Sequence, residues 1–313
     1  MECGTEIGGR LLYRAGSVFH VGGERANAMV IPVFEDTNCD VCGCVESREL
    51  IAVRGSAYHE CTRCGLIYAR PMLRNVTEVN EEQYQAKLDF YAAKMRKKPR
   101  YARKLRRFGS YRKTGNFLEI GCNAGTVISI ARDLGWNVKG CDISAAATRY
   151  AREKIGLDVF TGTVEEAAYP DGYFDVIYTN ATLEHLRHPL STLRECCRVL
   201  RPGGMFYADT VNWDSYTRRI LGVDWRHLSP TGHLHLYTPR NIRELCRRAG
   251  LEHVKTWTRG VRSTANMPGA TYRPPWYMPF LKASLSLLSR FNCKGDSIEF
   301  LARKPPVTTL GAG

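Results

Sequence analysis

No stretch of the 313-residue chain approaches 18 consecutive apolar residues, the run that a membrane-spanning helix needs. The best candidate, Trp276 to Leu288, is shorter and carries Lys282. The N-terminus lacks a basic start followed by an apolar core, because Arg10, Arg14 and Gly16 interrupt the segment 11–18. No secretory leader is therefore expected, and a cytoplasmic protein is. Internal repeats and low-complexity tracts are also missing. Hydrophobic residues at 44% and charged residues at 24% exclude a largely disordered or fibrous chain. The length suits one α/β domain with a small appendage.

Acidic residues are missing from one place in particular. Residues 94–113 hold eleven basic side chains and no acid, and without them the formal charge of +14 falls to +3. One segment is basic, not the whole protein. It can meet RNA, an anionic lipid surface or a phosphorylated substrate. It can equally be the solvated face of a helix, with Tyr101, Leu105 and Phe108 spaced to dock its other face.

Twelve cysteines without a leader do not read as a disulfide framework. Cys39-x2-Cys42 and Cys61-x2-Cys64 are separated by eighteen residues, with Gly43 and Gly65 directly after each pair. Two such knuckles can close four thiolates around one tetrahedral Zn²⁺. Four thiolates leave no open coordination position, so the expected zinc is structural. Cys44 breaks the paired spacing and is read as a bystander.

The chain then divides into a poorly ordered arm (1–35), a zinc ribbon (36–73), a basic helical connector (74–114), an α/β domain (115–305) and a tail (306–313). The connector is expected as two helices broken at Pro99, with Tyr84 and Tyr91 either folding over a ligand or packing the helices together. From Asn116 short apolar strands alternate with helices, which predicts a mostly parallel sheet covered on both faces. Strands are expected at 117–120, 137–141, 159–161, 174–178, from 205, 253–258 and 298–302. Helices are expected at 126–134, 190–200 and 241–249. Insertions at 213–237 and 261–294 are rich in aromatics.

The turn after the first of these strands carries the chemistry. A dinucleotide fingerprint would need glycines at 121, 123 and 126, but Asn123 and Thr126 stand at two of them. Glu119 would repel a pyrophosphate and attract a cationic amino-acid ligand. Asp142, 21 residues after Gly121, ends the second strand, where an acid can accept ribose hydroxyls. The pattern favours a cationic nucleoside.

Here the chain resembles the class I S-adenosylmethionine (SAM)-dependent methyltransferases. The family's acidic, glycine-rich turn appears as Glu119-Ile120-Gly121-Cys122-Asn123-Ala124-Gly125, with Asn123 in place of the middle glycine. Further blocks follow in order: 162–165 with 169–177, Leu183-Glu184-His185-Leu186, 198–204 and 297–304. The resemblance implies a Rossmann-like, seven-stranded, mostly parallel sheet with an antiparallel last strand. It places Glu119 and Gly121 at the methionine end of the cofactor, with Asn123 in the same cofactor-binding turn and Gly125 permitting close packing there, and Asp142 at its ribose. Ile143, Thr163 and Val164 would surround the adenine, and Asn180 would run under the sulfonium. The ribbon resembles the leading segment of some bacterial small-molecule methyltransferases.

The functional expectation is SAM-dependent methylation of a small metabolite at oxygen. The resemblance favours His233, four residues before Tyr237, as the base, with His235 pointing away. A histidine capping the next helix is the plain reading of the same residue, and His185 is a lesser candidate. An RNA methyltransferase or nucleic-acid-binding module using the ribbon and connector is the alternative. Against it, Glu35, Asp36, Asp40, Glu46, Glu49 and Glu60 outnumber Arg48, Arg54 and Arg63 in and beside the ribbon. A sugar C-methyltransferase or a quinone-type lipid methyltransferase also remains open.

Overall fold

The computed structural model describes residues 31–53, 56–77, 79, 98–265 and 270–306. Most of the expected arm, the first connector helix with Tyr84 and Tyr91, and nearly all of the tail lie outside them. The end of the arm is a short strand: β1 (Phe34–Glu35) pairs antiparallel with β5 (Met72–Leu73). Between them lie β2 (Ser47–Val53), β3 (Ser56–Cys61) and β4 (Ile67–Arg70), consecutive antiparallel neighbours that form the ribbon.

The main sheet has seven strands in the order β12-β13-β10-β9-β6-β7-β8. They are β6 (Asn116–Ile120), β7 (Asn137–Asp142), β8 (Val159–Thr161), β9 (Phe174–Asn180), β10 (Leu200–Val211), β12 (Glu252–Arg259) and β13 (Ser297–Arg303). The pairs β6–β7, β7–β8, β6–β9 and β9–β10 are parallel, and β13 runs antiparallel to both its neighbours. From Phe174 to Thr179 every residue of β9 is buried, as a central strand covered on both faces requires. The strand order reverses at β6, between β7 and β9, and such a switch point opens a crevice beyond the carboxyl ends of the strands.

The covering helices have local causes. Thr126 opens α2 (Thr126–Asp133) directly after Gly125, whose φ of +78° only glycine adopts readily. Ser144 caps α3 (Ala145–Ile155) by accepting from Ala147 N–H, and Gly156 closes it in the left-handed conformation. Pro189 begins α4 (Pro189–Val199). Thr238 and Asn241 form a reciprocal capping box on α6 (Pro239–Arg248).

The basic connector is partly consumed by the fold. In α1 (Lys98–Leu105), Pro99 lies in the first turn, where proline is tolerated. Leu105 and Phe108 are buried, as the docking reading of this segment expects. Lys104 reaches Glu299 at 3.1 Å and Asp209 at 3.8 Å, and lies 4.4 Å from the Tyr207 ring centre. Arg112 stacks on Trp136. Asp175, buried in β9, accepts the N–H groups of Lys113, Thr114 and Gly115 at 2.7–2.8 Å and pairs with Arg201. Burial raises its pKa, but these donors outweigh that and hold it low.

The two sheets are tied together. The insertion after β10 contains a short helix, α5 (Tyr216–Leu221), and then β11 (His235–Leu236). β11 joins the ribbon as its fourth strand, with His235 opposite Tyr68 and Leu236 opposite Ile67. The second insertion contains α7 (Met278–Asn292), which packs on β12. No helix among the described residues is long and apolar enough to cross a membrane.

Candidate active site

A cleft of about 280 Å³ opens at the carboxyl ends of β6, β7 and β9. Of the nine residues expected at the cofactor, eight line it: Glu119, Gly121, Asn123, Asp142, Ile143, Thr163, Val164 and Asn180. Gly125 does not line it. A Cβ there would come within 2.3 Å of Leu157, so its role is to let α2 approach its neighbours. Gly121 has φ +69°, and a Cβ on it would lie 2.3 Å from Thr182 Oγ1. Asn123 takes φ 49°, a conformation asparagine tolerates better than most residues.

Two carboxylates define the polarity of this cleft. Glu119 is buried, its Oε2 accepting Ile128 N–H at 3.1 Å. Burial pushes its pKa well above the usual carboxylate range. Asp142 accepts Asn123 N–H at 2.8 Å through one oxygen and Ser144 N–H at 2.9 Å through the other. A carboxylate has about four lone-pair sites, and an acid at the end of the second strand suits ribose hydroxyls. A buried acid that gains from a cation, a second acid at the neighbouring strand end and a glycine floor fit the ammonium and ribose of SAM.

Three histidines and an acid gather beside the cleft. His185 lines it, while His233 does not and packs behind, with ring centres 4.9 Å apart. His185 Nδ1 lies 2.7 Å from the Gly232 carbonyl and His233 Nδ1 lies 3.0 Å from the His227 carbonyl. A carbonyl only accepts, so each Nδ1 carries the hydrogen and each neutral ring keeps Nε2 as its basic nitrogen. Glu184 is buried and accepts from Thr210 Oγ1 at 2.7 Å. One ligand atom each from Glu184, His185 and His233 lie within 4.8 Å of one another. His227 stacks on His233, and burial pushes its pKa down to about 2.

His235 separates from His233, though not through strand alternation, since residues two apart in a strand share a face. Strand β11 begins only at His235, and His233 lies in the loop before it. The His235 Nδ1 meets the Leu186 carbonyl at 2.9 Å, and burial holds its pKa at about 4.

The four expected cysteines converge. Cys39 and Cys64 sulfurs lie 3.4 Å apart, as do those of Cys42 and Cys61, and all four thiols fall within 4.8 Å of one another. Four sulfurs at Zn–S distances of about 2.3 Å would be about 3.8 Å apart on a tetrahedron, so the donor set fits zinc. The two knuckles are built alike. Gly43 N–H donates to the Cys39 carbonyl and Gly65 N–H to that of Cys61, with φ +69° and +72°. Cys44 lies outside the group, near the Glu46 carbonyl and Thr62.

Several lining residues were not visible in the sequence. Tyr101 reaches the cleft from the connector helix, and Thr192 and Glu165, joined at 2.8 Å, close it from α4 and the loop after β8. Their positions depend on packing between distant segments. Glu184 and His185 did carry a signal, being part of a recognisable block, but His227 carried none.

The sheet order and this cleft define a class I methyltransferase. Residues 91–256 match the family model described as a methyltransferase domain, and the chain belongs to that family. The ubiquinone biosynthesis O-methyltransferase of Aromatoleum aromaticum is 31% identical over 169 residues, covering 50% of this chain and 68% of that protein. That of Thiobacillus denitrificans is 29% identical over 171 residues, with the same coverage. A SAM-dependent methyltransferase structure from Thermotoga maritima superposes with a TM-score of 0.50 at 18% identity, covering 74% of this chain and all of that one. The protein is a SAM-dependent methyltransferase.

Proposed function

We propose that this enzyme methylates a hydroxyl of a small molecule, with His185 and His233 managing the proton and zinc holding the ribbon. The observation that carries the reading is the imidazole of His185 at the cleft wall with that of His233 behind it, each held at Nδ1 by a backbone carbonyl. SAM supplies an electrophilic methyl group when bound. Glu119 would hold its ammonium, Asp142 its ribose hydroxyls, and Ile143, Thr163 and Val164 its base. His185, at the cleft wall, would accept the acceptor's proton at Nε2. His233 would orient and polarise that ring from behind. A positioned base contributes about 10²–10⁴-fold, and holding the partners in line removes roughly 7–11 kcal/mol of barrier. The named function of the two relatives, O-methylation in ubiquinone biosynthesis, supports oxygen as the acceptor and keeps a quinone-type phenol among the candidates.

An RNA substrate is less well supported. Lys104 and Arg112, both in the basic segment, are engaged inside the fold. Incubating the enzyme with methyl-labelled SAM, a metabolite extract and total RNA tests the choice. Label in a small-molecule methyl ether is the expected result, and label confined to RNA would overturn it. The grouping of Glu184, His185 and His233 favours one second reading, a divalent cation that polarises the acceptor hydroxyl. Turnover that rises on adding Mg²⁺ or Mn²⁺ to metal-stripped enzyme would select it.

A further inference from the structure

The helix α7 (Met278–Asn292) turns its apolar side chains away from the protein. Its inner face keeps Met278 and Ser289 buried, and Thr258 Oγ1 donates to the Ser289 carbonyl at 2.9 Å. Phe280, Leu287 and Phe291 are instead 74%, 58% and 82% exposed. At 100° per residue, positions 280, 284, 287, 288 and 291 fall on one strip of the helix. Trp276, 85% exposed, and Tyr277 extend that strip beyond the helix start. An ordinary surface helix buries such a strip. A contiguous exposed apolar face of this kind marks an interaction surface.

The charge around the strip is of one sign. Residues 261–295 contain no Asp or Glu and five basic residues: Arg262, Arg273, Lys282, Arg290 and Lys294. Arg262 and Lys294 pair with Asp296 and Asp214. Arg273, Lys282 and Arg290 are exposed; Arg290 flanks the strip and Arg273 precedes it in the chain, whereas Lys282 falls on the side of Met278 and Ser289.

We propose that α7 docks the enzyme on an anionic lipid surface. The strip would lie at the boundary of headgroups and acyl chains, and Arg273 and Arg290 would meet lipid phosphates. Trp276 and Tyr277 are residue types that settle at that boundary. Fifteen residues interrupted by Lys282 suit a helix lying in the surface, not one that spans it. A second copy of the chain fits less well, because a symmetric contact would bring like charges together with no acid within residues 261–295 to offset them.

The test is co-sedimentation of the full chain with vesicles of phosphatidylglycerol and phosphatidylcholine, against phosphatidylcholine alone. The mixed vesicles should bind it at least tenfold more tightly, and added salt should weaken that binding. The double variant Phe280→Ser, Phe291→Ser should bind them at least tenfold less, with unchanged SAM affinity by calorimetry showing that it is folded. Absence of binding to mixed vesicles, or full binding by the double variant, overturns the proposal. So does a concentration-dependent dimer that the double variant abolishes without any vesicle binding, which would assign the face to a second copy. Vesicle binding that appears only after deletion of residues 1–30 would assign it to that segment and overturn the proposal equally.

Discussion

The phenol of Tyr58, in the ribbon, donates a 2.7 Å hydrogen bond to the backbone carbonyl of His233, 175 residues away. The same oxygen accepts Ser229 N–H at 3.2 Å, and Ala69 N–H donates to the Leu234 carbonyl at 2.9 Å. Asn241 Nδ2 reaches the Gly65 carbonyl at 3.2 Å. The ribbon therefore serves as the frame on which the histidine loop is strung, which would link the proposed metal site to the proposed proton transfer.

Tyr58→Phe tests that link with one oxygen. The ring stays, but a buried carbonyl and amide lose their partner, which costs about 1–3 kcal/mol. Thermal unfolding should show that loss. Turnover should fall severalfold through the His233 loop, while SAM affinity measured by calorimetry stays within twofold. A variant with reduced stability and wild-type turnover would show that the loop holds its shape without the ribbon.

Metal content is the next test. Protein purified without chelators should carry one zinc per chain, and Cys39→Ala or Cys64→Ala should lose it. Because β11 is both the fourth ribbon strand and the continuation of the His233 loop, stripping the metal should abolish turnover before it abolishes SAM binding. Turnover and cofactor affinity lost together at one chelator concentration would mean that the ribbon supports the whole domain. Elemental analysis showing no zinc would remove the metal from the account.

Glu119 should make cofactor binding pH-dependent. Its pKa is raised by burial in the free enzyme, so part of the population is protonated near its shifted value. A bound ammonium favours the ionised form and lowers that pKa, so binding releases a proton. Affinity for S-adenosylhomocysteine should therefore rise with pH through the raised pKa and level off above it. Calorimetry in buffers of different ionisation enthalpy would count the proton. Glu119→Gln should bind more weakly and lose the pH dependence.

Asp142→Ala should weaken SAM and S-adenosylhomocysteine by at least tenfold, about 1.4 kcal/mol. Hydrogen bonds to a charged acceptor contribute roughly 1.5–3 kcal/mol, and the side chain also fixes Asn123 N–H and Ser144 N–H. Asp142→Asn, which keeps one acceptor oxygen, should lose less. Equal affinities for wild type and Asp142→Ala would remove the ribose assignment.

The cofactor half of this site was legible because its signals are local. The turn 119–125, the acid at the end of β7 and the strand-helix alternation each occupy a few consecutive residues. The expected strand at 159–161 matches β8, and that at 117–120 falls inside β6, whose first residue is Asn116. The cysteine spacing is likewise a short-range pattern. What stayed hidden is long-range. Nothing near Tyr58 announces His233, and nothing near Lys104 announces Asp209 and Glu299. His227 acquires its depressed pKa first from burial and then from the charges of His233, Arg226, Arg262 and His185, which distant segments bring together. The pairing of His235 with Tyr68 brings a strand from the insertion after β10 into the ribbon sheet, and no local pattern encodes it. The histidine loop was legible as a loop, but the order of its histidines from the cleft was not.

That order can be settled kinetically. His185 forms the cleft wall and His233 stands one ring behind it. If His185 accepts the proton, His185→Gln should lower kcat by about 10²–10⁴-fold with little change in SAM affinity. His233→Gln should cost less, about tenfold, because it removes the support of a base and not the base itself. His235→Ala should leave chemistry nearly intact but reduce stability, since that ring is fully buried against the Leu186 carbonyl. The ranking needs the true acceptor, or a surrogate phenol turned over measurably by the wild type. A larger loss at His233 than at His185 would return the base to His233 and make His185 its support. Equal and small losses at both would leave positioning alone to carry the methyl transfer.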